Sequence, residues 1–166
     1  MASLPPSDEA TLTHVQSVLQ TRTLSSPIYA FILTPLRITH ASRGLIIARL
    51  VLAAPHLNAS GSLHGGVSAT LVDWAGGCAI STWDLRTGTG VSVDINISYL
   101  GGAKLGEEIE IEGRADKVGG SLAFTSVGIW KVEDGGRGSA VAVGRHTKFV
   151  RGSASKKVED AVKTAE

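Results

Sequence analysis

Apolar and polar positions along the chain change period twice. Between Glu9 and Thr21, Leu12, Val15, Val18 and Leu19 recur at helical spacing behind Pro5-Pro6-Ser7-Asp8, which reads as a cap region, so a short amphipathic leading helix is predicted. After Pro27 come Tyr29, Phe31, Ile32 and Leu33. Runs at Leu36 to His40 and Gly44 to Ala53 then predict strands, and Pro55 ends the second. From Leu63 to Trp83 alternation is lost and small residues dominate: Ala69, Ala75, Gly76, Gly77, Ala79 and Ser81. Interior glycines cost a helix about 0.5–1 kcal/mol each relative to alanine, so this segment is predicted to be a buried helix closely approached by other backbone.

Beyond the helix the period is two. Strands are predicted at Val91 to Leu100, Glu107 to Val118, Ser121 to Val132 and Ser139 to Val150, separated by Gly101-Gly102, Gly119-Gly120 and Asp134-Gly135-Gly136. The first places Val91, Val93, Ile95, Ile97 and Tyr99 on one face and Ser92, Asp94, Asn96 and Ser98 on the other. One long helix followed by a meander of antiparallel strands is an α+β layout.

Composition narrows the partners. The 166 residues, 43% hydrophobic, suffice for one sizeable core, and a net charge of +1 from 16 basic and 15 acidic side chains offers no footprint for nucleic acid or an anionic membrane. The single cysteine, Cys78, excludes a disulfide framework, reads as a small core residue and fits a reducing compartment. No apolar run has the length of a membrane span, and the start of the chain lacks a secretory signal, so a cytoplasmic or mitochondrial protein is expected rather than a secreted one.

The chemistry concentrates between Asn58 and Asp73. Backbone N–H groups near Gly65 and Gly66, at a helix start, are unpaired donors reinforced by the helix dipole and can face a developing oxyanion. Asp73, about two turns on, is a carboxylate among Ala69, Thr70, Val72, Trp74 and Ala75, a poor surface stripe for a solvated charge. There is no Gly-x-Ser-x-Gly elbow and no cluster of histidines or cysteines, so neither a serine triad nor a metal is expected.

The loop and helix from Asn58 to Asp73, the strand Gly90 to Tyr99, Ala103-Lys104-Leu105-Gly106-Glu107, Leu122-Ala123-Phe124-Thr125-Ser126-Val127 and Gly144-Arg145-His146-Thr147-Lys148 resemble the hotdog-fold acyl-CoA thioesterases. The resemblance is to the branch that includes the phenylacetate-pathway enzymes and thioesterase superfamily member two, and it covers roughly Thr34 to Val150. It implies a central helix wrapped by a curved antiparallel sheet, a helical extension over residues 1–33, a hotdog domain over 34–150 and a flexible tail over 151–166. It also implies homodimers, or homotetramers built as dimers of dimers, with acyl-CoA as substrate and no cofactor. Carried over by position, Gly65 and Asn58 polarise the thioester carbonyl, and Asp73 of the partner subunit acts as general base or nucleophile. Ser92, also of the partner, holds the water, and His64 orients the site and the departing thiolate. Tyr99 and the turn Lys117-Val118-Gly119-Gly120-Ser121, with the region near Phe149, would meet the CoA moiety, Lys117 as a point charge for phosphate. Gly101-Gly102 departs from the proline-containing turn of the family. A non-catalytic hotdog protein that binds acyl-CoA or an aromatic ligand is the alternative. Acyl preference depends on a cavity that Trp74, Trp83 and Phe31 are candidates to line.

Overall fold

The computed structural model describes residues 4–153; the tail expected from residue 151 falls, beyond residue 153, outside the described residues. Helix α1 (Glu9–Thr21) is capped by Asp8, whose carboxylate accepts from Thr11 N, and it buries Thr11, Val15, Val18 and Leu19. Asp8 N donates to Ala41 O at 2.8 Å, which docks the helix start on the sheet. A second helix, α2 (Pro27–Leu33), was not legible as such: its seven residues start on Pro27 and bury only Ile32 and Leu33. Too short for a visible helical period, it reads as an irregular apolar run.

Six strands follow: β1 (Arg37–Ser42), β2 (Leu45–Val51), β3 (Val91–Tyr99), β4 (Glu108–Val118), β5 (Leu122–Glu133) and β6 (Gly136–Phe149). They form one antiparallel sheet in the order β1-β2-β4-β5-β6-β3. The strand bounds differ from expectation by up to three residues. Strand β2 stops at Val51 rather than Ala53, and Pro55 sits in a 3-10 turn, Ala54–His56, rather than just past a strand end.

The long helix α3 (Gly65–Asp84) packs against the sheet. It starts two residues later than predicted, because Leu63 N bonds Ala103 O and His64 is the extended N-cap. From Trp74 to Thr82 every residue is buried, so this half has no polar face. Its small residues let the sheet come close, but not as the sequence suggested. A Cβ on Gly76 would meet side chains, Thr125 Oγ1 at 2.6 Å and His146 Nδ1 at 3.1 Å, while Gly77 faces Thr89. The close backbone approach is at Gly113 of β4, where a Cβ would lie 2.5 Å from Ala75 O.

Among the described residues strand β3 is an edge and pairs only with β6. Its alternation is broken by a bulge between Ser92 and Asp94, and Val91, Val93, Ile95 and Tyr99 are all exposed. An edge with open ladder groups and uncovered apolar side chains is a template for pairing with another chain. No helix among the described residues is long and apolar enough to cross a membrane.

Gly113→Ala tests the close packing of helix on sheet. Forcing a methyl against the Ala75 carbonyl is expected to cost about 1–3 kcal/mol in urea denaturation. A loss under about 0.5 kcal/mol would mean that the two backbones separate freely there.

Candidate active site

The loop before α3 is tied at each step. Asn58 Oδ1 accepts from Ser60 N at 2.9 Å and Ser62 N at 3.1 Å, and Asn58 N donates to Ser62 O. With its oxygen committed to the loop, the asparagine keeps its amide N–H groups for a ligand. The buried His56 accepts from Ala53 N at Nδ1, donates from Nε2 to Ile32 O at 3.0 Å, and receives His64 N on its own carbonyl.

His64 caps the helix: its Nδ1 accepts from Gly66 N at 2.9 Å. Among the described residues the Gly65 N–H has no acceptor. One free amide, at the positive end of a helix of 20 residues, is what a carbonyl oxygen requires. Tyr99 lies against this end, its hydroxyl donating to Gly65 O at 3.2 Å.

Asp73 has a different set of neighbours. Tyr29, from α2, donates its hydroxyl to Oδ2. Oδ1 receives Ser92 Oγ at 3.4 Å, with His146 Nε2 at 3.5 Å and Lys148 Nζ at 3.6 Å. His146 Nε2 is 2.9 Å from Ser92 Oγ. If Ser92 donates to Asp73, Nε2 must carry the imidazole proton, giving a directed chain His146 to Ser92 to Asp73. Ser92 is thus no merely solvent-facing strand residue.

Burial holds His146 below the usual histidine range, helped by Lys148 and opposed by Asp73 and Asp94. Burial also pushes the Tyr29 phenol above the ordinary tyrosine range, with the Asp73 hydrogen bond and charge adding to it. Cys78, fully buried, is pushed up to about 12 and is no nucleophile at neutral pH.

Gly65 and Asp73 do not meet within one chain. Eight residues of α-helix separate them by about 12 Å along the axis. The turn Lys117 to Ser121 lies farther still from Gly65: Val118 packs with Ile80, 15 residues down α3, while Tyr99 sits at the Gly65 end. The residues expected to share the CoA moiety are therefore at opposite ends of the helix. Asp73 opens onto a cavity of 260 Å³ lined also by Tyr29, Trp74, Cys78, Thr89 and Lys148. Of the three aromatic residues considered for an acyl cavity, Trp74 borders this one, Trp83 packs under Arg43 against Gly44, and Phe31 is 65% exposed.

Residues 60–137 match the model of the thioesterase superfamily. Human acyl-coenzyme A thioesterase 13 is 42% identical over 119 residues, which are 72% of this chain and 82% of that protein. The chain belongs to the thioesterase superfamily. The crystal structure of zebrafish thioesterase superfamily member 2 superposes with a TM-score of 0.72 at 33% identity, over 89% of this chain and 99% of the other. A hypothetical thioesterase from Streptococcus pneumoniae, solved with coenzyme A, matches with a TM-score of 0.65 at 27% identity, over 72% of this chain and 91% of the other. The wrapped helix and antiparallel sheet are those of the hotdog fold.

Sequence reasoning named Ser92 but gave His146, Lys148 and Tyr29 no role. A signal existed for two of them: on β6, His146 and Lys148 are in phase with the inward-facing Ala142 and Gly144, polar residues on a core-facing register. The depressed histidine has a consequence for stability. As pH falls through about 6.5, unfolded chains take up a proton that native His146 resists, so the native state loses stability in acid. His146→Gln is expected to flatten the fall of the thermal midpoint between about pH 7 and pH 5. An unchanged slope would show that the imidazole titrates alike in both states.

Proposed function

We propose that this chain hydrolyses acyl-CoA to a free acid and CoA at a site shared by two subunits. The observation that carries this reading is the arrangement along α3: a free Gly65 amide at its start and a side-chain-tethered Asp73 two turns later, too far apart to serve one carbonyl from the same chain. The uncovered β3 edge supports pairing with a second copy, and the resulting dimers would assemble further into a tetramer.

In this reading Gly65 N–H and the Asn58 amide of one subunit polarise the thioester carbonyl. Asp73 of the partner subunit takes a proton from a water held by Ser92, whose own orientation is fixed by His146. The water oxygen bonds to the carbonyl carbon, the oxyanion forms at the two donors, and its collapse breaks the C–S bond. The departing thiolate takes up the proton that Asp73 gained from the water, which restores the carboxylate. His64, held at Nδ1 by Gly66, presents Nε2 as its donor toward that sulfur. A thioester lacks much of the resonance of an amide and expels a good leaving group, so donors plus one carboxylate suffice. Lys117 to Ser121 and Tyr99 are assigned to the CoA portion, from opposite subunits. A cytoplasmic or mitochondrial setting belongs to the proposal, and the free thiol of Cys78 suits it.

Support for acyl-CoA as the substrate class comes from relatives, one named for acyl-coenzyme A and one solved with coenzyme A. Thiol release from short, long and aryl acyl-CoA esters tests the activity, and binding without release would favour the non-catalytic alternative. Asp73→Asn is expected to lower kcat at least about a hundredfold while preserving the oligomer; unaltered turnover would remove Asp73 from the chemistry. Mixing inactive Asp73→Asn with inactive Asn58→Ala protein is expected to restore partial activity through hybrid dimers. No recovery after demonstrated subunit exchange would put the site within one chain.

A further inference from the structure

We infer that Tyr29 is a positioning residue for Asp73, set in place by the N-terminal helices outside the hotdog domain. The inference rests on the reading above, in which Asp73 is the base. Its two carboxylate oxygens are held from different elements: Tyr29 of α2 takes Oδ2, while Ser92 of β3, with His146 and Lys148 of β6, faces Oδ1. Among the described residues, Tyr29 is the one polar side-chain partner of Asp73 that does not come from the sheet. Asp94, also on β3, adds charge nearby through its effect on His146.

The seat of Tyr29 is firm. Its helix begins on Pro27, buries Ile32 and Leu33, and is pinned at Ile32 O by Nε2 of the buried His56. The ring borders the 260 Å³ cavity beside Asp73, Trp74 and Cys78, so its hydroxyl reaches the carboxylate from the cavity side. A carboxylate held at Oδ2 cannot swing about its terminal bond, and Oδ1 stays aimed at the hydroxyl that holds the water. A charge-assisted hydrogen bond of this kind is also stronger than a neutral one. Tyr29 touches no reacting atom and acts through Asp73.

The test uses the full chain. Tyr29→Phe removes only the hydroxyl and is expected to lower kcat about tenfold with KM within about twofold. The Cγ resonance of Asp73, followed by carbon-13 NMR at neutral pH, is expected to move in Tyr29→Phe, because the carboxylate has lost its donor at Oδ2. Tyr29→His, which retains an N–H donor, is expected to keep more kcat than Tyr29→Phe; a packing role would rank them the other way. An unmoved Asp73 resonance, or phenylalanine outperforming histidine, overturns the proposal. Wild-type protein that releases no thiol would instead sink the thioesterase reading, and the NMR comparison would still decide whether Tyr29 governs the carboxylate.

Discussion

The rigidity of one helix governs this molecule. A carbonyl can be polarised only by a donor it touches, and attacked only by a water that the base touches, yet α3 sets its free amide and its carboxylate about 12 Å apart. No side-chain rotation closes that gap. In the proposed reading a second copy running the other way does, with the open edge of β3 as the surface for it. On that proposal the assembly is a condition of the chemistry rather than an addition to it.

The same helix explains the packing of small residues. A segment buried on every side from Trp74 to Thr82 can be surrounded only if the sheet comes very near. Gly113 on β4 lets the strand reach the Ala75 carbonyl, and Gly76 leaves room for Thr125 and His146. Space that a methyl at Gly76 would fill is used to seat the imidazole that orders Ser92.

Much of this was legible in the residues. Glu9 to Thr21 showed its helical period and cap, and the later strands announced themselves by alternation and glycine turns, but the expected four-strand meander is broken: β4, β5 and β6 pair in chain order, while β3 crosses to the far edge beside β6. Asp73 stood out as a candidate because a carboxylate in small apolar company needs a reason. Other features depend on contacts between distant segments and leave no local pattern. Helix α2 is too short to show a period, and Tyr29 reaches Asp73 across 44 residues of sequence. His146 and Lys148 gave a faint sign, being polar in an inward register. The glycines of α3 were read as sites where other backbone comes close, but Gly76 and Gly77 face side chains, and the close backbone approach falls at Gly113 on β4.

The proposed composite site makes one geometric demand that a crystal structure with a non-hydrolysable acyl-CoA analogue measures directly. The account predicts the analogue's carbonyl oxygen at about 3 Å from Gly65 N of one subunit, with its carbonyl carbon within one water of an Asp73 carboxylate belonging to the other. A carbonyl that meets both groups from a single chain, or one lying more than about 10 Å from every Asp73 in the assembly, would contradict it.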